Sequence, residues 1–304
     1  MVILFMEMFI SKLQYDYFEH GEFVQIEECD TEAVLKKFDN FDWDSYTNIL
    51  TLSLTCPSIT IEHHNGSYLK IGRYHYGEYV LYFLNPLKKL FHKIVETKED
   101  ARQILLSYLD GSFQPGFFMK YWEIQLRPER FFKTKEFVYR VNWMRCIWML
   151  LYPMIFFMMF VGMITVTFDA PRIDIFFLCF SIVFFIFMGG ISFYLFFEYY
   201  FFSKNLVLIL SRGDDEFYFG DKDDLKKYNK GDIKRIVDWG HHGKLATRGP
   251  IWLNFHVFQF EMKNSEKLKF TSLMMSDIHL SEKLGWRIKN IHRFIPTLKS
   301  TNRA

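Results

Sequence analysis

The stretch CIWMLLYPMIFFMMFVGMITVTFDAPRIDIFFLCFSIVFFIFMGGISFYLFF, residues 146–197, decides the architecture of this chain. Two runs of 23 residues, Cys146–Phe168 and Ile175–Phe197, contain no Asp, Glu, Lys or Arg. Only the segment FDAPRID, residues 168–174, brings charge between them. A helix of about 20 residues crosses a hydrocarbon core about 30 Å thick. Each run therefore predicts a transmembrane helix, and FDAPRID predicts the turn of a hairpin.

A pair of buried helices inside a globular protein is the alternative interpretation of the two runs. Such helices show a polar stripe at helical period, because one side meets water. The two runs hold few Ser and Thr side chains, and these form no stripe at helical period: Thr165, Thr167, Ser181 and Ser192. The pattern therefore favours the transmembrane hairpin.

Flanking charges predict the orientation of the hairpin. The turn offers only Arg172, which Asp169 and Asp174 offset. The chain on the other side of both runs is rich in cations: Lys120, Arg127, Arg130, Lys133, Lys135, Arg140, Arg145, Lys204 and Arg212. Because Lys and Arg stay on the cytoplasmic side, we expect both termini in the cytoplasm and FDAPRID outside.

Charge also divides the chain into parts. Basic and acidic side chains number 10 and 17 in residues 1–115, 8 and 6 in 116–202, and 19 and 12 in 203–304. The predicted order is an acidic domain (1–115), a basic juxtamembrane segment (116–145), transmembrane helices (146–168 and 175–202) around an external turn (169–174), and a basic domain (203–304). A basic domain beside a cytoplasmic leaflet attracts anionic lipid, or else the two domains complement each other's charge.

Motifs for catalysis are absent from the sequence: we find no GxSxG, HExxH, kinase signature or GxGxxG after a strand. The four cysteines form no CxxC pair, which fits a reducing compartment. We therefore expect a non-catalytic protein without cofactor, metal site or nucleic-acid partner. A membrane enzyme whose catalytic residues escape motif searches is the alternative.

Residues 1–115 have the pattern of a small α+β domain. DTEAVLKKFDNF predicts a capped helix with Val34, Leu35 and Phe38 on one face. ILTLSL, SITIE, SYLKIG, EYVLYFLN and KLFHKIVET predict strands, with a hairpin turn at Asn65-Gly66. TKEDARQILLSYLDG predicts a second helix that begins at a Thr97–Asp100 capping box.

In this order of elements, residues 22–112 resemble small immunity-protein domains of bacterial toxin systems. The resemblance implies an acidic surface for a protein partner, with Asp39, Asp42 and Asp44 around Trp43 as candidate binding residues. The alternative is a solvated acidic turn that contains one core aromatic residue.

Residues 203–304 alternate at strand period in NLVLILS, DEFYFG, GDIKRIVDW, IWLNFHVFQFEMKN and EKLKFTSLMMS. Leu280, Leu284, Ile288, Ile291 and Ile295 then follow at helical spacing. Residues 204–296, above all FHVFQFEMKNSEKLKFTSLMM before a helix, resemble bacterial PH-like domains of membrane-anchored proteins. That resemblance implies an antiparallel β-barrel capped by a helix and a role in binding or scaffolding.

Two loops of this domain bear on its ligand. SRGDDE, residues 211–216, occupies the position of the lipid-binding loop in PH domains but carries three acids and one Arg. WGHHGKLATRGPIW, residues 239–252, holds Lys244 and Arg248 between glycines. It predicts a membrane- or anion-facing loop, or a solvated strand connection.

Taken together, the sequence predicts an α+β protein: an N-terminal sheet domain, a two-helix transmembrane hairpin and a C-terminal PH-like barrel. The expected partners are the lipid bilayer and a protein, and self-association into a homo-oligomer is left open. The resemblances imply a bacterial inner-membrane location. They imply either a toxin-immunity protein or a PH-like membrane scaffold or regulator that binds a cytoplasmic protein or a lipid surface.

Overall fold

Two units make up the fold. The structure, a computed structural model, describes residues 8–16, 18–46, 53–121, 127–169, 175–240, 254–284, 288–293 and 295–299. The first unit comprises Met1–Glu136 with Arg212–Asp214, and the second comprises Phe137–Ser211 with Asp215–Ala304. The strand predicted at residues 49–54 falls largely outside the described residues.

The first unit is built on a seven-stranded antiparallel sheet with the order β2-β1-β3-β4-β5-β6-β7. Its strands are β1 (Phe9–Gln14), β2 (Val24–Cys29), β3 (Ser58–Glu62), β4 (Tyr68–Arg73), β5 (Tyr79–Leu84), β6 (Leu90–Val95) and β7 (Met119–Lys120). The predicted hairpin turn between β3 and β4 is confirmed, with Gly66 at a φ of 81° that glycine tolerates without strain.

Two helices cover one face of this sheet. α1 (Thr31–Asn40) begins at Asp30, whose carboxylate accepts the N–H of Ala33. α2 (Lys98–Leu109) begins at Thr97, which accepts the N–H of Asp100. Both helices and their caps confirm the sequence predictions. Their apolar faces share a core with alternate residues of the strands, such as Ile59, Ile61, Leu69 and Ile71, as the period of two in a strand requires.

The second unit contains two four-stranded sheets, ordered β11-β10-β9-β8 and β14-β13-β12-β15. The strands are β8 (Val138–Tyr139), β9 (Leu206–Ile209), β10 (Glu216–Asp221), β11 (Asp224–Asn229), β12 (Ile233–Gly240), β13 (Val257–Met262), β14 (Lys267–Thr271) and β15 (Ile288–His292). Residues from both sheets, including Phe217, Phe219, Phe258, Phe260 and Phe270, form one aromatic core.

The predicted terminal helix is confirmed only over its first part, as α6 (Asp277–Leu284). Ile288–His292 form β15, which pairs in parallel with β12. The isoleucines at helical spacing are β-branched and suit a strand. The free edge of β12 offers N–H and carbonyl groups that a strand can bond, whereas the backbone groups of a helix are already bonded within the helix.

A closed barrel is not found in the described part of the second unit, which corrects the predicted architecture. Closure requires a continuous ladder from the last strand back to the first. Here β15 occupies the free edge of β12, and β8 is only two residues long. The two sheets therefore face each other across the aromatic core as separate ladders.

Helical segments lie between β8 and β9. They are α3 (Trp143–Asp169), α4 (Ile175–Phe185), a π-helical turn (Ile186–Gly190) and α5 (Ile191–Ser203). Among the described residues, no single helix meets the length and hydropathy criteria for a membrane span. Trp143–Leu151 and Pro153–Val166 meet them together, but their axes bend by 41°. The helix predicted at 146–168 is thus bent next to Pro153, as a proline inside a helix leads one to expect, and it is not a single span.

Candidate functional site

Trp43, the centre of the predicted acidic partner surface, lies in the core of the first unit. Its side chain is 3% exposed and packs against Phe38, Phe41 and Tyr79. The indole N–H donates to the Phe38 carbonyl at 2.9 Å. Trp43 is therefore a buried core residue, which agrees with the alternative interpretation of an acidic turn with one core aromatic residue.

The three aspartates around Trp43 each have an intramolecular partner. Asp39 Oδ1 lies 3.4 Å from Arg102 Nε, Asp42 Oδ1 accepts the N–H of Ser45 at 3.4 Å, and Asp44 Oδ1 lies 3.7 Å from Arg73 Nη2. These contacts tie the end of α1 to α2 and to β4. A partner-binding role for the aspartates stays a prediction.

A groove of about 490 Å³ opens between α1 and the β1–β2 edge of the same unit. The β1–β2 register shifts between Ser11 and Leu13, and Gln25 opposite has a φ of 51°, which is uncommon outside glycine. The lining residues are Leu13, Tyr15, Gln25, Ala33, Lys36, Lys37, Asn40, Phe41 and Asp42. They offer hydrogen-bonding groups and one predicted site residue, Asp42, but no Ser–His or Cys–His combination.

Lys70 is a fully buried cation that the sequence interpretation did not identify. Its ammonium group donates to Gln14 Oε1 at 2.5 Å and to the Leu54 carbonyl. Burial lowers the pKa of Lys70 to about 8, against a smaller opposing effect of the Cys56 thiol. Burial likewise raises the pKa of Cys56 to about 11. Because the side chain of Lys70, a residue of β4, has no exposed surface, it acts within the fold and a substrate cannot reach it.

We expect the first unit to gain about 1 kcal/mol of stability between pH 8 and pH 9. Lys70 has a pKa of about 8 when folded and 10.5 as its ordinary value, so in this window the unfolded chain binds more protons and rising pH favours the folded state. Cys56, shifted from 9.0 to about 11, acts in the opposite direction from about pH 8 upward and offsets about 0.3 kcal/mol of this gain by pH 9.

Pulse proteolysis of the full chain in urea, followed through the N-terminal fragment, measures this pH dependence. The Lys70→Met variant should show a nearly flat stability between pH 8 and pH 9. The same slope in wild type and variant would assign the effect to another group.

The second unit contains a buried Asp–His pair next to a serine. Asp238 Oδ1 lies 2.9 Å from His256 Nδ1, and both residues are buried. The Ser272 hydroxyl accepts the main-chain N–H of His256 at 3.1 Å, whereas nucleophile activation requires a bond to the ring. Arg145 of α3 donates to the Ser272 carbonyl at 3.1 Å. The arrangement joins the start of α3 to β12, β13 and the end of β14.

Gly240 leaves the space that this pair requires. A Cβ at Gly240 would lie 2.3 Å from His256 Nδ1, closer than atoms can approach without displacement. No motif in the sequence marked Asp238, His256 or Ser272, because their strands contribute them from positions 16 to 34 residues apart.

A row of cations crosses the outer face of the β14-β13-β12-β15 sheet. The cross-strand register places Glu261 between Lys267 and Arg235, and Gln259 and Val237 between Lys269 and Lys289. The four cations on this face are here called the basic row: Lys267, Lys269, Arg235 and Lys289. Glu261 accepts two hydrogen bonds from Arg235, and this partner is the main cause of its lowered pKa. Desolvation, followed by repulsion from Lys267, lowers the pKa of Lys269.

The same outer face turns apolar toward the helices. Trp239 and Val257 pack there against Leu195 and Tyr199 of α5, and Lys269 lies 6.0 Å from the Trp239 ring centre. The basic row therefore lies on the sheet face to which α5 is packed.

The two predicted ligand loops contribute little to a described site. Lys230 donates its main-chain N–H to the Asp215 carbonyl at 2.7 Å and its ammonium group to the Ser211 carbonyl. Glu216 is paired with Lys227 at 2.7 Å. The predicted anion-facing residues of the second loop lie outside the described residues: Lys244 and Arg248.

Comparison with known protein families places a PH domain within the second unit. The family model described as PH domain matches residues 138–283, slightly less than half of the chain. No curated protein and no solved structure matches the chain. The match begins at β8, so the helices α3–α5 lie inside the matched range. The sequence interpretation had instead placed these helices before the domain. Residues 138–283 therefore carry a PH-like domain.

Proposed function

We propose that the protein is a membrane-anchored binding or scaffold protein, in which α3–α5 form the anchor and the PH-like domain works at the membrane surface. The observation that carries the proposal is the exposure of large apolar side chains along α3 and α4. Met158 is 64% exposed, Val166 68% and Phe176 79%. Soluble proteins rarely leave apolar patches of such extent uncovered.

The basic row supports a position of the domain next to anionic lipid. A cation close to an anionic leaflet contributes about 1 kcal/mol of attraction. The row lies on the sheet face that also packs against α5, so an anchor in the bilayer would bring it near the headgroups. The proposal includes a bacterial inner membrane, both termini in the cytoplasm and no catalytic activity.

A toxin-immunity role is not a second candidate. The family match does not reach the first unit, Trp43 is buried and the aspartates around it have intramolecular partners. The resemblance of residues 22–112 to immunity-protein domains stays a prediction.

Extraction of membranes with alkaline carbonate tests the anchor. The full chain should remain in the membrane pellet, because alkaline carbonate does not transfer apolar helices from the lipid into water. A matched variant with Met158→Lys, Phe176→Lys and Val183→Lys, three exposed positions, should shift to the supernatant or fail to accumulate in the membrane. Complete release of the wild-type chain by carbonate would overturn the anchor.

A charge-reversal experiment tests the surface role. In nanodiscs that contain a photo-crosslinkable anionic lipid, Lys267→Glu with Lys289→Glu should lower lipid crosslinking to peptides of β12–β15 by at least about tenfold. The reason is that the two cations together contribute about 2 kcal/mol of attraction. Lys222→Glu with Lys226→Glu is the control, because both residues are exposed and lie on the β10–β11 hairpin of the other sheet. Equal loss in both variants would show that overall charge, and not the basic row, governs the contact.

A further inference from the structure

The helices between β8 and β9 pack against the sheet over one part of their length and are exposed over the rest. The change occurs next to Pro153 and the π-helical turn. Below this level lie Trp143–Leu151 and α5, here called the proximal segments. Beyond it lie residues 153–169 and 175–190, here called the distal segments. The bend of 41° in α3 and the π-helical turn mark the boundary in the two antiparallel partners. An apolar recess of about 410 Å³ opens at the same level, lined by Met154, Phe157, Phe185, Gly190 and Phe193.

One side of the proximal segments is buried in protein. Cys146, Leu195, Phe196 and Tyr199 form a core with the outer face of the β12–β13 strands. Polar contacts accompany this packing: Ser203 Oγ lies 2.7 Å from Thr271 Oγ1. Such contacts hold the proximal segments to the sheet as part of the PH-like domain.

The opposite side of the proximal segments is exposed and rich in aromatic residues. Trp143 is 68% exposed, Trp148 65%, Tyr194 53% and Phe201 64%. Trp and Tyr concentrate at the interface between lipid and water, where an apolar ring and a polar group are both accommodated. The exposed side therefore has the composition of an interfacial surface.

Among the described residues no strand packs beside the distal segments, and both segments are apolar in composition. Ring contacts such as Phe156–Phe184 and Phe160–Phe185 join α3 to α4. Met154, Ile155, Met158 and Met159 lie within one arc of about 140° on α3 and are each at least 46% exposed. At 1.5 Å per residue the two distal segments are about 24–25 Å long, which is shorter than a hydrocarbon core of about 30 Å.

We propose that the hydrocarbon of the bilayer begins at the level of Pro153 and the π-helical turn. The distal segments enter the acyl chains, while the exposed side of the proximal segments contacts the lipid headgroup layer and their other side carries the PH-like domain. The lipid-embedded part is thus shorter than the predicted spans 146–168 and 175–202. This inference rests on the proposed membrane anchor, which it deepens by assigning a depth to each segment.

Spin-label depth measurements on the full chain in lipid vesicles test the proposal. Cys179, the exposed cysteine, is replaced by Ser, and the three other cysteines are buried, so their residual labelling is measured in that background and subtracted. Single cysteines are then placed at Leu151 and Tyr194 in the proximal segments, about 3 Å and 6 Å from the proposed boundary at 1.5 Å per residue, and at Met158 and Phe180 in the distal segments. All four positions are exposed in the structure.

The ratio of a label's accessibility to oxygen to its accessibility to a water-soluble nickel complex gives the depth of the label in the bilayer. We expect labels at Leu151 and Tyr194 at headgroup depth. The label at Met158 should lie about 10 Å deeper than the label at Leu151, since seven residues separate the two at 1.5 Å each. A label at Lys226 on β11 gives the reference value for bulk water.

The possible results separate the inference from the proposed function. Proximal labels as deep as the distal ones would restore the longer predicted spans, 146–168 and 175–202, and overturn the inference. Proximal labels as accessible as Lys226, with distal labels deep in the acyl chains, would also overturn it while leaving the anchor intact. Water-like accessibility at all four positions would overturn both the inference and the proposed function.

Discussion

Replacing Trp43 by Ala is expected to destabilise the first unit by about 3–5 kcal/mol, the range found when a large buried aromatic side chain is truncated. The indole is 3% exposed and touches Phe38, Phe41 and Tyr79. Its N–H also supplies a hydrogen bond to the Phe38 carbonyl at the end of α1. Truncation removes the ring contacts, leaves a cavity and removes the indole donor from the Phe38 carbonyl.

The urea midpoint of the N-terminal fragment, measured by pulse proteolysis on the full chain, reports this loss. Trp43→Phe should recover much of the packing but not the hydrogen bond, so its loss should be smaller. Asp44→Asn is the surface control, because the Asp44 side chain is 95% exposed and exposed pairs contribute about 0–1 kcal/mol. A loss below about 1 kcal/mol for Trp43→Ala would contradict the assignment of Trp43 to the core.

Replacing Gly72 by Ala is expected to cost about 1–3 kcal/mol, the usual cost of overpacking. An added Cβ would lie 2.4 Å from Cys56 Sγ and 3.3 Å from the Pro57 carbonyl. Cys56 is buried next to Lys70, so its sulfur has little room to move. Gly116→Ala in the same unit is the matched control, because a Cβ there meets nothing within 4 Å.

A double-mutant cycle identifies the cause of the Gly72 effect. In the Cys56→Ala background the sulfur is gone, so Gly72→Ala should cost clearly less than in wild type. Equal costs in both backgrounds would assign the effect to the β4 backbone and not to the contact with Cys56.

Local patterns predicted much of the first unit. Asp30 and Thr97 cap their helices as expected, and Asn65-Gly66 turns the β3–β4 hairpin. These features depend on side chains within a few residues of the backbone groups they serve, so they can be read from a short window. Trp43 could not be assigned in this way, since its burial depends on Tyr79 of β5, which is distant in sequence.

The second unit shows where a local pattern misleads. The isoleucines after Leu284 have helical spacing, yet Ile288–His292 pair with β12, because an open strand edge competes with intrinsic helical preference. The same pairing accounts for the two separate sheets in place of the predicted barrel. The basic row was equally hidden, since its four cations come from three strands that only register brings together.

By itself the sequence determined the order of the parts: an acidic sheet domain, two apolar helical runs, and a basic domain with strands like those of PH domains. These follow from composition and periodicity, which each segment carries independently of its neighbours. Only the tertiary structure decided that β8 precedes the helices and pairs with β9, that α5 packs on the outer sheet face, and that Lys70 is buried. Each of these depends on contacts between segments far apart in the chain, where packing and hydrogen bonding outweigh local preference.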